Sequence, residues 1–211
     1  MKALNRDPET APIKIVSAEF FTSAFTVQQL PEESLPEIAF AGRSNVGKSS
    51  LINALLLRKK LVKTSNTPGR TQSINFFTIN KAFYFVDLPG YGFAKVPKDV
   101  QAKWKYLIEG YLQNRKTLKG VVLIMDSRHP AMPNDVQLYH WLSAQCFAVI
   151  PVLTKVDKLS KNELEKSRRE CARILTISPE DIVLFSATEK TGRQELWEKI
   201  LRLTGNNMVD S

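Results

Sequence analysis

The sequence predicts an α/β fold, with a mostly parallel sheet of six strands, one of them antiparallel, and helices on both faces. Apolar runs of strand length recur, each followed by turn residues and then by a stretch with helical spacing. Several runs are continuously apolar, as happens when helices cover both faces of a sheet. Two runs are joined by a link too short for a crossover helix, so that pair should run antiparallel.

The strands fall at 37–41, 74–79, 83–87, 120–126, 148–154 and 181–185, and the short link is Asn80-Lys81-Ala82. A helix is expected over 50–57. Val100, Trp104, Leu107, Ile108 and Tyr111 form one apolar stripe between charged positions, and Leu196, Trp197, Ile200 and Leu201 do the same near the C-terminus. Ser160 and Glu163 have capping-box spacing, which starts a helix expected over 161–175. Residues 13–203 read as a single domain, with 1–12 and 204–211 as loose tails.

Composition narrows the class. The 211 residues are 43% hydrophobic and 24% charged, which excludes a disordered chain. The longest apolar runs, such as Val121 to Met125, fall far short of the roughly 20 residues of a spanning helix. Residues 1–12 alternate charges and prolines and lack the apolar core of a secretory signal, so a cytoplasmic protein without membrane contact is expected. Cys146 and Cys171 have neither zinc-site nor disulfide spacing and read as reduced thiols; His129 and His140 stand alone, and neither reads as catalytic.

The chemistry is concentrated in Gly42-Arg43-Ser44-Asn45-Val46-Gly47-Lys48-Ser49, which fits G-x-x-x-x-G-K-[ST] between a predicted strand and a predicted helix that includes Ser50. Glycines let backbone N–H groups wrap a phosphate at a helix N-terminus. Lys48 supplies a cation to the β- and γ-phosphates, and the Ser49 hydroxyl is placed to ligate Mg²⁺. Asp87-Leu88-Pro89-Gly90 ends an apolar strand, where the carboxylate can reach the metal through water and the Gly90 N–H can meet the γ-phosphate. Thr154-Lys155-Val156-Asp157 and Ser186-Ala187-Thr188 also follow strands, where open α/β sheets bind ligands. Asp157 can accept from N1–H and the N2 amine of guanine, whereas adenine offers neither donor and leaves the charge unpaired. Lys155 would lay its stem along the base, and Ala187 would offer a backbone N–H to O6.

These elements, in this order, resemble the P-loop GTPases of the translation-factor class, with a Ras-like G domain, over about residues 36–203. The run from Gly42 to Asn53, Thr67-Pro68-Gly69-Arg70-Thr71-Gln72 and Asp87-Leu88-Pro89-Gly90-Tyr91-Gly92 are similar to the EngB (YihA/YsxC) family, as are Ser17 to Phe20 and Leu35 to Ala41. The resemblance implies a bacterial GTPase, cycling between GTP and GDP, that acts in large ribosomal subunit assembly and is needed for normal cell division. Direct action on the division machinery, with RNA contact incidental, is the alternative. A P-loop small-molecule kinase would not need Asp157 or Ser186.

By the same resemblance Gly69, Arg70 and Thr71 belong to the nucleotide-responsive loop, and Thr71 joins Ser49 and Asp87 on Mg²⁺, with Thr64 and Thr67 as rival threonines. Lys48, Thr71 and Gly90 are the catalytic candidates. Tyr91 stands where Ras-like proteins carry a water-positioning glutamine, so slow intrinsic hydrolysis is expected. Asn45 resembles the asparagine that ligates K⁺ in related GTPases; bracing the loop is its other available role. Thr154 replaces a frequent asparagine and lacks an amide to tie its loop to the phosphate loop, so micromolar nucleotide affinity is expected, roughly −8 kcal/mol.

The net charge is +9. Basic residues gather at Arg58-Lys59-Lys60, at Lys95, Lys98, Lys103 and Lys105, and at Arg115-Lys116-Lys119. Ribosomal RNA is the partner this balance suggests, with a solvated helix face as the plain alternative for any one cluster. The cluster from Lys95 to Lys105 follows the γ-phosphate segment and is the candidate RNA contact. With no spare apolar stripe, a monomer is expected.

Overall fold

The computed structural model describes residues 14–62, 73–91 and 98–205, and within the last range the side chains of 98–105 are not described. Gly69, Arg70, Thr71, its rivals Thr64 and Thr67, Lys95 and the expected tail 1–12 lie outside the described residues, as do the side chains of Lys98, Lys103 and Lys105.

The strands are β1 (Ala18–Ala24), β2 (Glu37–Gly42), β3 (Ile74–Ile79), β4 (Phe83–Asp87), β5 (Leu118–Asp126), β6 (Val149–Thr154) and β7 (Val183–Phe185), and the helices are α1 (Lys48–Leu55), α2 (Lys98–Asn114), α3 (Pro133–Ala144), α4 (Lys161–Leu175) and α5 (Arg193–Thr204). One sheet holds seven strands in the order β1-β3-β4-β2-β5-β6-β7, with β3 antiparallel to both β1 and β4 and the remaining pairings parallel. Asn80 and Lys81 take left-handed backbones at the β3–β4 turn, φ 49° and 54°, which matches the twist of a tight hairpin.

The fold class is the one expected, with a seventh strand. β1 escaped the sequence reading because Phe20 and Phe21 are exposed on an edge strand and a register shift between Phe20 and Thr22 breaks its alternation. Helix α3 escaped because its apolar residues Val136, Leu138, Tyr139, Trp141 and Leu142 are spread around the helix and leave no clean stripe. Helix α4 starts as its capping box requires: Ser160 Oγ accepts from the Glu163 N–H, and Glu163 accepts from the Ser160 N–H at 2.9 Å.

Alternate residues of the central strands face opposite layers. Ile38, Phe40, Phe85, Val122 and Ile124 pack with Leu51, Ile52 and Leu55 of α1 and with Leu196, Trp197 and Ile200 of α5. Ala39, Ala41, Val86, Val121 and Leu123 pack with Leu107, Tyr111 and Leu112 of α2 and Leu142 of α3. The α4 residues Cys171, Ala172 and Leu175 cover Met125 and Leu153. Trp197 Nε1 and Arg193 Nε each donate to the Leu55 carbonyl at 3.1 Å, tying the end of α1 to α5. Among the described residues, no helix is long and apolar enough to cross a membrane.

Arg115 does not belong to a basic surface. Its side chain is 7% exposed and ion-paired at 2.8 Å with Glu37, which also accepts from the Tyr111 hydroxyl at 2.9 Å and the Thr117 hydroxyl at 2.8 Å. A buried carboxylate at the start of β2 therefore claims the guanidinium.

Candidate functional site

Sheet register brings the motifs together. Phe40 of β2 pairs with Asp87 of β4, Gly42 with Ile124 of β5, Asp126 of β5 with Thr154 of β6, and Thr154 with Phe185 of β7. Since these pairings are parallel, the carboxyl ends of the five strands open on one edge of the sheet. β2 lies between β4 and β5, where the order of strand addition reverses, and that reversal leaves the crevice in which such sheets hold ligands.

The phosphate loop runs from the end of β2 into α1. Gly47 precedes α1 at φ 99°, a backbone that side chains disfavour, and the N–H groups at the helix start are open to an anion. A Cβ on Gly42 would stand 2.8 Å from the Ile124 carbonyl, so only glycine lets the loop leave β2 so close to β5. Lys48 Nζ contacts Asp87 Oδ1 across the crevice, which sets the cation expected to bind phosphate beside the carboxylate that ends β4. Gly90 abuts the loop, where an added Cβ would lie 2.9 Å from Ser44 Oγ. That hydroxyl is buried without a hydrogen-bond partner among the described residues.

The base-side motifs meet at β6 and β7. Ser186 Oγ donates to Asp157 Oδ1 at 2.8 Å, and Lys158 Nζ lies 3.1 Å from Oδ2. The Ser186 bond, with help from Lys158 and against a desolvation effect, holds the Asp157 carboxyl below the ordinary range. It is therefore an anion at neutral pH, able to accept N–H donors. Ser186 Oγ also lies 3.0 Å from Thr188 Oγ1 and accepts from the Glu189 N–H at 3.2 Å, which fixes the turn carrying Ala187.

The two halves are bolted together, and here the structure corrects the expectation for Thr154. Its hydroxyl reaches the Val46 carbonyl at 2.5 Å and lies 3.0 Å from the Met125 carbonyl. No amide is needed, because the end of β6 lies against the loop and a short hydroxyl spans the gap. Lys155 Nζ donates to the Asn45 carbonyl at 2.6 Å and to Asp126 Oδ2 at 2.9 Å, so its stem is drawn across the phosphate loop. Asn45 itself is exposed, with φ 63°.

Sequence reasoning missed Asp126. Burial opposes its ionisation, but bonds from Arg128 at 2.9 Å and from Lys155 outweigh this and hold its carboxyl well below the usual carboxylate range. The signal was present, since Asp126 ends an apolar strand just as Asp87 does. Arg43, in the phosphate loop, turns its guanidinium away to Asp135, 3.1 Å from Oδ2. Val46, Leu88 and Pro89 are buried, while Ser49, Ser50 and Val156 lie at the start of α1 or in the turn after β6.

Residues 37–158 match a family model described as 50S ribosome-binding GTPase. A probable GTP-binding protein EngB from Geotalea daltonii is 52% identical over 182 residues, covering 86% of this chain and 88% of the relative. Another from Desulforamulus reducens is 54% identical over 186 residues, covering 87% and 91%. A crystal structure of a probable GTP-binding protein EngB superposes with a TM-score of 0.67 at 26% identity, over 81% of this chain and 100% of that one. With more than half of its residues identical to these relatives over most of both chains, and a GTPase family model matching 37–158, the chain belongs to the EngB family of GTP-binding proteins, as a P-loop GTPase.

Proposed function

We propose that the chain is a cytoplasmic, monomeric GTP-dependent switch in assembly of the large ribosomal subunit that is needed for normal cell division. The observation that carries the nucleotide half of this reading is the Asp157 carboxylate, preset by Ser186 at the same sheet edge as the phosphate loop. The family description as 50S ribosome-binding GTPase supports the partner, and a net charge of +9 supports contact with its RNA.

Within the run from Gly42 to Ser50, the Ser44 and Val46 N–H groups are taken by the Tyr91 and Arg43 carbonyls, and the N–H groups leading into α1 hold the phosphates, with Lys48 as the mobile cation. Asp157 accepts the guanine N1–H and N2 amine, Lys155 covers the ring, and Ala187 donates to O6. Gly90 donates to the γ-phosphate. A hydroxyl at Ser49 and a carboxylate at Asp87 beside a phosphate cradle are the donor set of Mg²⁺, which takes few protein oxygens and completes its shell with phosphate and water. Thr71 is the third ligand candidate. Bound there, the metal would neutralise charge on the β- and γ-phosphates.

Tyr91 cannot orient water through an amide, and its hydroxyl is committed to Asp135 at 2.9 Å, which supports slow intrinsic turnover. Potassium near Asn45 is the candidate source of the missing positive charge; equal turnover in KCl and NaCl would remove it. Lys95, Lys98, Lys103 and Lys105 are the candidate RNA contacts, coupled to the nucleotide through the preceding Gly90 segment. The test is co-sedimentation of the full chain with large-subunit precursor particles. GTP-dependent binding that weakens steeply with salt is expected, and binding that ignores the nucleotide overturns the switch.

A further inference from the structure

Three donors converge on the buried carboxylate of Asp135 in the first turn of α3. The Tyr91 hydroxyl donates to Oδ1 at 2.9 Å, Arg43 Nε donates to Oδ2 at 3.1 Å, and the Met132 N–H donates to Oδ2 at 3.2 Å. The two side chains come from two segments: Arg43 follows Gly42 in the phosphate loop, and Tyr91 follows Gly90 in the segment after β4. Their backbones are joined as well. The Ser44 N–H donates to the Tyr91 carbonyl at 3.2 Å, and the Tyr91 N–H donates to the Gly42 carbonyl at 3.4 Å.

One carboxylate thus clamps the Gly90 segment to the phosphate loop. The clamp holds Gly90 where a methyl group would stand 2.9 Å from Ser44 Oγ, and that orphan hydroxyl lies buried between the two segments.

We propose that Asp135 is a positioning residue for recognition of the γ-phosphate: by holding Tyr91 and Arg43 together it keeps the Gly90 N–H at the phosphate loop, so the terminal phosphate finds its donor already in place. This rests on the reading of Gly90 as the γ-phosphate contact. A preset donor favours the triphosphate because binding need not order the segment, whereas a diphosphate gains nothing from it. The clamp therefore sets the ratio of GTP to GDP affinity.

The test uses the full chain with a fluorescent GDP and a fluorescent non-hydrolysable GTP analogue. Asp135→Asn keeps the shape but ends the ion pair with Arg43, and its amide can keep Tyr91 only by donating to the phenol oxygen, so the bond from the Tyr91 hydroxyl to a carboxylate is lost. Tyr91→Phe removes a single oxygen and serves if the first variant does not fold. Each is expected to weaken the analogue about tenfold, or ~1.4 kcal/mol, while GDP affinity stays within about twofold. The double variant should lose little more than either single one, because both break the same bond. Equal losses for the two nucleotides, as from a merely structural role, overturn the proposal, and so does an unchanged analogue affinity. Gly90→Ala separates it from the reading beneath. If that variant shows no selective loss of the analogue, both fall; if it does while Asp135→Asn and Tyr91→Phe do not, only Asp135 loses its role.

Discussion

Replacing Asp157 by asparagine tests the base site atom by atom. An ionised carboxylate offers about four lone-pair positions, and Ser186 and Lys158 occupy one on each oxygen, at 2.8 and 3.1 Å. One position per oxygen remains, which matches the two donors on the guanine edge. Asparagine keeps one acceptor and turns the other into a donor, so an amide N–H faces a guanine N–H. One charge-assisted bond is lost, worth about 1.5–3 kcal/mol, and an unsatisfied donor adds about 1–3 kcal/mol. At 1.4 kcal/mol per tenfold, GDP affinity should fall by roughly two to four orders of magnitude. Xanthine carries a carbonyl in place of the N2 amine, so it should gain what guanine loses. Titrating the variant with fluorescent GDP and XDP measures both changes. If GDP affinity stays within threefold of the parent, or XDP gains nothing, Asp157 does not read the base.

Glu37→Gln strips the charge partner from Arg115, whose side chain is 7% exposed. The loss should be about 3–5 kcal/mol, or ~6–20 °C in Tm at 2–4 °C per kcal/mol, and calorimetry showing a drop under about 3 °C would refute it. Gly47→Ala puts a side chain on a backbone at φ 99° with 3.7 Å of clearance to Thr154 Oγ1, so strain without a clash should destabilise the chain by about 1–3 kcal/mol in urea titration. Burial, with Asp135 and Glu170 nearby, pushes the Cys171 thiol up to about 12, whereas Cys146 is exposed. Since the thiolate is the reactive form, Cys171 should stay inert to a thiol reagent until pH approaches that value. One thiol per native chain should react at pH 8 and two in denaturant; two reacting quickly in the native protein would show that Cys171 is not sealed.

Much of the fold could be read in the chain because its signals are local. The β3–β4 hairpin and α4 have the bounds expected from a short link and a capping box, and neither signal spans more than a few residues. The same holds for the glycine-lysine loop and the aspartates that end apolar strands, where residue type and spacing encode the chemistry. β1 and α3 were not legible. An edge strand with exposed phenylalanines and a helix without a single stripe take their shape from what they pack against.

Residue identity and local order therefore determined that this chain carries a phosphate-loop motif and strand-end aspartates on an α/β sheet. Tertiary structure alone decided the partners of Thr154, Arg115 and Asp135. Thr154 meets a carbonyl 108 positions away, Arg115 a carboxylate 78 away, and Arg43 a carboxylate 92 away. Such pairings depend on strand register and on which face each helix covers. No local pattern carries that information, because a hydroxyl or a guanidinium bonds whatever acceptor the folded sheet sets within about 3 Å of it.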